Sequence, residues 1–321
     1  MRGARLLLAA ALLALAVPAT ASAHVRSGKS AVDYRATVSH VPPGVTARVY
    51  PADLALRLTV ADGHRAVVLG LVGEPAIRIG AAGVEVNRSS PTAAGSGLLK
   101  KAPKGATGAW VPISSDQSVV WHDARLRGLP AGATHGHWSV PLLVDGARGR
   151  IGGEIARAAK PSPWPWLALG ALTAVVVGLL VTRRDQARLR TATIAFGLTA
   201  AAATIVTAAD FALAANATQG AWFEGANEVV FVLVGLAFVV WGSRDTKALA
   251  AGGLGLLAVA VGLSKLPALM HGIVLSSLPG DASRTAIALA ICTGAAATVL
   301  GVLVFFDVLE HYEEPVDVPI P

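Results

Sequence analysis

Five apolar stretches dominate the C-terminal half of this chain: Trp164 to Val181, Thr191 to Ala215, Ala221 to Trp241, Ala248 to Leu263 with an extension beyond it, and Thr285 to Phe306. A helix needs about 20 residues to cross roughly 30 Å of hydrocarbon, and most of these stretches are that long. In lipid a backbone must satisfy its own hydrogen bonds, which restricts such runs to a few forms, and here they read as five membrane helices. The composition agrees. The 321 residues are 54% hydrophobic and only 15% charged, against about 25% charged in a soluble domain.

The formal charge of +7 is unevenly placed. Residues 24–161 hold 17 basic and 9 acidic side chains, whereas residues 162–321 hold 8 basic and 11 acidic ones. A basic polar half therefore precedes an apolar, slightly acidic one. Residues 1–23 begin with Arg2 and Arg5, continue with an apolar run from Leu6 to Val17, and end at Ala21-Ser22-Ala23. This is the pattern of a secretory signal peptide; the alternative, an uncleaved first helix, suits a longer run.

Lys and Arg in short loops orient the helices. Arg183, Arg184, Arg188 and Arg190 crowd the first loop and Arg244 and Lys247 the third, while residues 216–220 carry none. The sequence thus predicts a multi-pass protein of the cell membrane with its N-terminal domain extracytoplasmic and its C-terminus cytoplasmic. The expected divisions are a signal peptide over 1–23, an extracytoplasmic domain over 24–157, a Pro-rich linker over 158–165, five helices over 164–306 and an acidic, disordered tail over 307–321.

Between His24 and Arg157 short β-rich runs are cut by Gly, Pro and Asp turns. Strands are expected near 35–41, 45–50, 54–60, 66–71, 76–79, 84–87, 118–121, 137–144 and 148–155, with hairpin signals at Asp62-Gly63 and Asp145-Gly146. Ser89 to Gly108 reads as a loop with a mobile tip. The predicted fold class is a β ectodomain, an immunoglobulin-like sandwich, followed by an all-α five-helix transmembrane bundle. The single cysteine, Cys292, lies in the fifth apolar stretch, so the sandwich has no disulfide.

Motifs for hydrolysis, nucleotide binding and hydride transfer are missing, and the expectation is a protein that is not an enzyme. Basic residues without interleaved aromatics, on a domain outside the cell, argue against nucleic acid as a partner. Membrane lipids are expected partners, with anionic headgroups, wall polymers or an envelope protein as candidates for the basic domain; oligomeric state is left open. Six of eight histidines fall in this domain. Cleavage before His24 would give an α-amino group and an imidazole suited to Cu(II), and His122, His135 and His137 are candidate further ligands, with Asp123 as an orienting carboxylate. The competing reading is surface or packed histidines, and the near absence of methionine argues against a Cu(I) site.

In the apolar half, ionisable residues are costly and therefore informative. Asp210, Glu228, Lys265 and His271 fall at similar depth under this topology, and Thr199, Ala203, Thr207 and Asp210 share a helical stripe. An outer-leaflet cluster is expected, either as ion pairs that tie helices together or as a path for an ion, proton or metal.

Gly73-Glu74-Pro75, Val86-Asn87 with Ser90-Pro91, Trp121-His122-Asp123 with Arg125, and Trp138-Ser139-Val140-Pro141-Leu142 followed by Val144-Asp145-Gly146 resemble an actinobacterial-type family of membrane proteins. The resemblance implies a signal peptide, a β-sandwich ectodomain and about five transmembrane helices, and it implies no activity. Here Ala124 and Leu126 depart from the relatives' pattern of further histidines and an aromatic after Trp-His-Asp. The N-terminal histidine before a sandwich is also similar to periplasmic copper-binding sandwiches fused to membrane domains, though those have more helices. The leading expectation is a non-enzymatic envelope protein presenting its ectodomain for binding or scaffolding. The alternative is copper handling across the bundle.

Overall fold

A computed structural model describes residues 31–50, 54–126, 128–183, 185–214 and 219–313; the expected signal peptide, His24 and residues 314–321 of the expected tail lie outside the described residues. Among these residues the chain divides into a β-rich unit, residues 31–160 with His271–Leu275, and a helical unit made of the rest.

The β-rich unit holds twelve strands among the described residues: β1 (Ala31–Val32), β2 (Tyr34–His40), β3 (Val45–Val49), β4 (Ala55–Val60), β5 (Ala66–Leu69), β6 (Pro75–Gly80), β7 (Gly83–Asn87), β8 (Trp110–Ser114), β9 (Ser118–His122), β10 (His135–Val144), β11 (Ala147–Arg157) and β12 (Ile273–Val274). They form an antiparallel seven-stranded sheet in the order β2-β11-β10-β5-β6-β7-β8, a three-stranded sheet β3-β4-β9, and the pair β1-β12. Alternation decides which side chains turn inward. Leu56, Leu58 and Val60 of β4 join Val119 and Trp121 of β9 in the same buried cluster as Ile77, Ile79, Val84, Val86, Val140, Leu142 and Ile151 of the larger sheet. One core therefore serves both sheets.

Turn chemistry explains the connections. Asp145 and Gly146 both have positive φ, 51° and 86°, the pair of angles that a tight two-residue hairpin requires, and β10 and β11 pair directly across them. At Asp62-Gly63 only the glycine has positive φ, and the turn leads from β4 in the small sheet to β5 in the large one instead of closing the expected hairpin. The segment expected as a mobile loop is partly ordered: α1 (Pro91–Gly95) is followed by a 3₁₀ turn over Leu98–Lys101. Ser90 caps α1 by accepting from the Ala93 N–H, and Pro91 takes the first helical position, where no N–H is missed.

The helical unit contains α2 (Trp164–Thr182), α3 (Gln186–Ala212), α4 (Gln219–Trp241), α5 (Arg244–Ser264), the single turn α6 (Pro267–Met270) and α7 (Gly280–Glu313). All but α6 are long and apolar enough to cross a membrane. Their outward side chains include Leu167, Leu172, Val175, Leu179, Val230 and Phe231, all exposed; water would penalise these side chains and lipid would not. Five such helices suggest a multi-pass membrane protein. Helix α7 continues to Glu313, so the residues expected to begin a disordered tail extend the last helix by almost two turns.

Small residues set the helix contacts. A methyl group at Gly255 would fall 2.5 Å from the Gly294 carbonyl oxygen, and one at Gly252 would fall 3.0 Å from the Gly301 Cα. Helices α5 and α7 therefore touch backbone to backbone, an approach that only glycine allows. Helix α3 buries Thr193, Gly197, Thr204, Thr207 and Asp210. The buried threonine hydroxyls donate to the carbonyl four residues back, as from Thr204 to Ala200 at 2.8 Å and from Thr207 to Ala203 at 2.8 Å, and so satisfy themselves without a partner helix. Thr199, expected on the same stripe, is exposed.

Candidate functional site

Of the candidate residues of the helical unit, Asp210 and Lys265 sit at helix ends and Glu228 lies inside α4. Lys265 is the C-cap of α5, its own N–H bonded to Gly262 and Leu263. At 2% exposure its ammonium cannot rely on water. It lies 3.1 Å from Glu224 and 3.5 Å from Glu228, one turn apart on α4, with the Phe211 ring 5.3 Å away. Two carboxylates and an aromatic face thus replace the lost hydration. Glu224 is a member that the expected cluster lacks; its spacing of four from Glu228 is the signal that places both on one face.

Asp210 is not part of this arrangement. Its Oδ1 accepts the N–H of Ser277 and of Leu278, both at 2.8 Å, and the Ser277 hydroxyl at 3.0 Å, while the Ser276 hydroxyl lies 2.7 Å from Oδ1 and 2.9 Å from Oδ2. The carboxylate ties the end of α3 to the loop before α7. His271 belongs to the β-rich unit, where Nδ1 lies 3.2 Å from Asp33 Oδ2. The expected four-residue cluster is therefore distributed over three places. About twenty residues, or ~30 Å, back along α3 from Asp210, Arg190 pairs with Asp245 on α5 at 3.2 Å and Asp307 on α7 at 2.9 Å. Ionic ties thus bracket an apolar band near the thickness of a bilayer core.

In the β-rich unit the histidines are scattered. His122 ends β9 opposite Ala55 of β4. His135 and His137 are two residues apart on β10, on one face and both exposed, with His135 Nδ1 2.9 Å from the Thr134 hydroxyl. No group of three potential ligands converges among the described residues. Asp123 is engaged elsewhere: it accepts the Trp121 indole N–H at 3.1 Å and two guanidinium N–H bonds from Arg125, both at 2.7 Å. Burial alone would raise its pKa, but the Arg125 charge and hydrogen bonds outweigh that and hold it below the usual carboxylate range.

Glu74 and Pro75, Asn87 with Ser90, and Arg125 meet at one place, the turn between β5 and β6, whereas Trp138 bonds the Thr37 and Glu154 carbonyls and Asp145 bonds His64. Glu74 Oε1 accepts the Ser90 hydroxyl at 2.6 Å and Oε2 the Val72 N–H at 3.2 Å, Asn87 Nδ2 donates to the Pro75 carbonyl at 2.8 Å, and Arg125 reaches the Leu69 carbonyl at 3.3 Å. The Leu71 N–H donates to the Thr92 hydroxyl at 2.8 Å, and Gly73, with φ 82°, closes the turn on Gly70. Burial opposes the Glu74 charge, yet the hydrogen bonds from Ser90 and Thr92 prevail and draw its pKa down to about 2. The bracing holds up two apolar side chains: Leu71 is 53% and Val72 76% exposed. No protein-family model, curated protein or solved structure matches the chain.

Proposed function

We propose that the chain is a multi-pass protein of a bacterial cell envelope that holds an immunoglobulin-like β-sandwich outside the membrane for binding, without catalysis. The observation that carries this reading is the braced turn. A flexible loop would fold Leu71 and Val72 away from water, whereas here at least six hydrogen bonds are spent on keeping them out, which is the expense expected of a contact surface. The shared core of the two sheets supports a sandwich, and the basic residues of the first and third loops support an outward β-rich unit. The helical unit serves as the anchor, since Asp210, Lys265 and Arg190 each tie parts of it together.

The test is single-cysteine accessibility in the full chain with Cys292→Ala. Ser139→Cys, at an exposed strand position, should react with a membrane-impermeant maleimide in intact cells while the chain resists alkaline extraction. Labelling only after lysis would exclude an outward β-rich unit.

One observation favours a second reading, copper binding by His24, His135 and His137, with His122 as a further candidate. His135 and His137 share an exposed strand face, a geometry in which two imidazoles can serve one ion. Metal content of the purified full chain, before and after His135→Ala with His137→Ala, decides it: copper retained by the parent and lost in the variant supports this reading, and a parent without copper removes it.

A further inference from the structure

The turn that presents Leu71 and Val72 is continuous with the most one-sided stretch of charge in the β-rich unit. From Val86 to Ser115 the chain contains Arg88, Lys100, Lys101 and Lys104 and no acidic residue. Asn87 and Ser90 touch the turn directly, α1 packs beside the start of β6, and the 3₁₀ turn bearing Lys100 and Lys101 packs on α1. All three lysines are exposed. The one carboxylate at the turn, Glu74, is occupied by Ser90, Thr92 and the Val72 N–H. Two protruding apolar side chains and, across α1 from them, exposed lysines with no ion pair among the described residues form a surface with two chemistries.

We propose that this surface docks on an anionic lipid bilayer, with Leu71 and Val72 entering the headgroup and upper acyl region and Lys100, Lys101 and Lys104 lying among the phosphates. The inference rests on the reading of an outward β-rich unit on a membrane anchor. Size argues for lipid over protein: a stable protein interface takes about 800 Å² from each partner, which two side chains on a narrow turn do not supply. A domain tethered to a membrane needs only a weak contact, because the tether keeps the local concentration of lipid high. Apolar insertion gives depth and the lysines give preference for anionic headgroups.

The full chain with Cys292→Ala and Ala94→Cys, an exposed position on α1, is labelled with a fluorophore and reconstituted into phosphatidylcholine vesicles with or without phosphatidylglycerol. Nitroxide-headgroup lipid should quench the label several-fold more strongly when phosphatidylglycerol is present. The excess should fall to the phosphatidylcholine level with Leu71→Ser and Val72→Ser, or with Lys100→Ala and Lys101→Ala, and should weaken in high salt. Quenching equal in the two vesicles, or unchanged by the variants, overturns the proposal, as does a label that an acidic protein shields while lipid does not quench it. The substituted positions are exposed, so folding is not at stake. If Ser139→Cys is reached from outside but Ala94→Cys shows no lipid quenching, the lipid assignment alone fails; if Ser139→Cys is not reached, the outward reading fails first.

Discussion

Gly255 of α5 and Gly294 of α7 face each other so closely that a methyl on either would fall 2.5 to 2.6 Å from the other's carbonyl oxygen. Close backbone approach is what holds apolar helices together in lipid, where burial of apolar surface gives little advantage.

Gly255→Ala should therefore force the helices apart and cost about 1–3 kcal/mol. Gly253, two residues away with nothing within 4 Å of its would-be methyl, is the matched control. Gly253→Ala should be neutral or stabilising by up to about 1 kcal/mol, since alanine is the better helix former. Unfolding in mixed detergent micelles compares the two, and equal effects would argue against a glycine-set contact.

Lys265→Met removes one cation from between two carboxylates. The variant should lose about 3–5 kcal/mol, because a charge left behind in a buried pair has no substitute for its partner. Adding Glu224→Gln and Glu228→Gln should restore most of that loss. If Lys265→Met unfolds like the parent, the ion pairs do not hold α4 to α5.

Asp123→Ala strips Trp121 and Arg125 of a shared acceptor in the core. A loss of about 3 kcal/mol is expected, as for one partner taken from a buried pair. Asp123→Asn should lose less, because an amide oxygen still receives the indole. Chemical denaturation followed by Trp fluorescence reads both.

Glu74 gives a pH dependence with a definite sign. Its folded pKa of about 2 lies below the ordinary 4.5, so its stabilisation is complete above pH 4.5 and is lost as pH falls toward 2. Because the turn is partly exposed, screening reduces its worth to about 1–2 kcal/mol. Glu74→Gln should thus speed hydrogen exchange at the Leu71 and Val72 amides at pH 7, with the difference from the parent shrinking as acid protonates Glu74. A difference that does not change between pH 7 and pH 3 would show that charge is not what braces the turn.

Features written in runs are legible in the sequence, and features made by backbone atoms are not. The five long helices follow from uninterrupted apolar length, and most strands follow from alternation between turns. β8 escapes because Pro112 interrupts Trp110–Ser114, yet a proline is admissible there since β8 is the edge of its sheet. α1 escapes because five residues show no period, although Ser90-Pro91 is a helix-start signal in its own right. The need of Lys265 for carboxylates is readable from its apolar surroundings, and the spacing of Glu224 and Glu228 supplies them. The partners of Asp210 are the hydroxyls of Ser276 and Ser277 and the amides of Ser277 and Leu278, more than 60 residues away along the chain, and no spacing in the sequence announces them. The same holds for Glu74, whose partners become visible only when the turn is closed.

The strand Ile273–Val274 is carried by the chain between two long helices, yet it pairs with Ala31–Val32, and Asp33 binds the Gly272 N–H and pairs with His271. The β-rich unit is thus completed by the part of the chain made late in synthesis. A nascent N-terminal half would wait, with β1 unpaired, until Val274 has emerged, and a fragment cut after Lys160 would carry that unfinished edge permanently. Assembly of the whole chain, rather than the folding of either half, is the event that seals the unit.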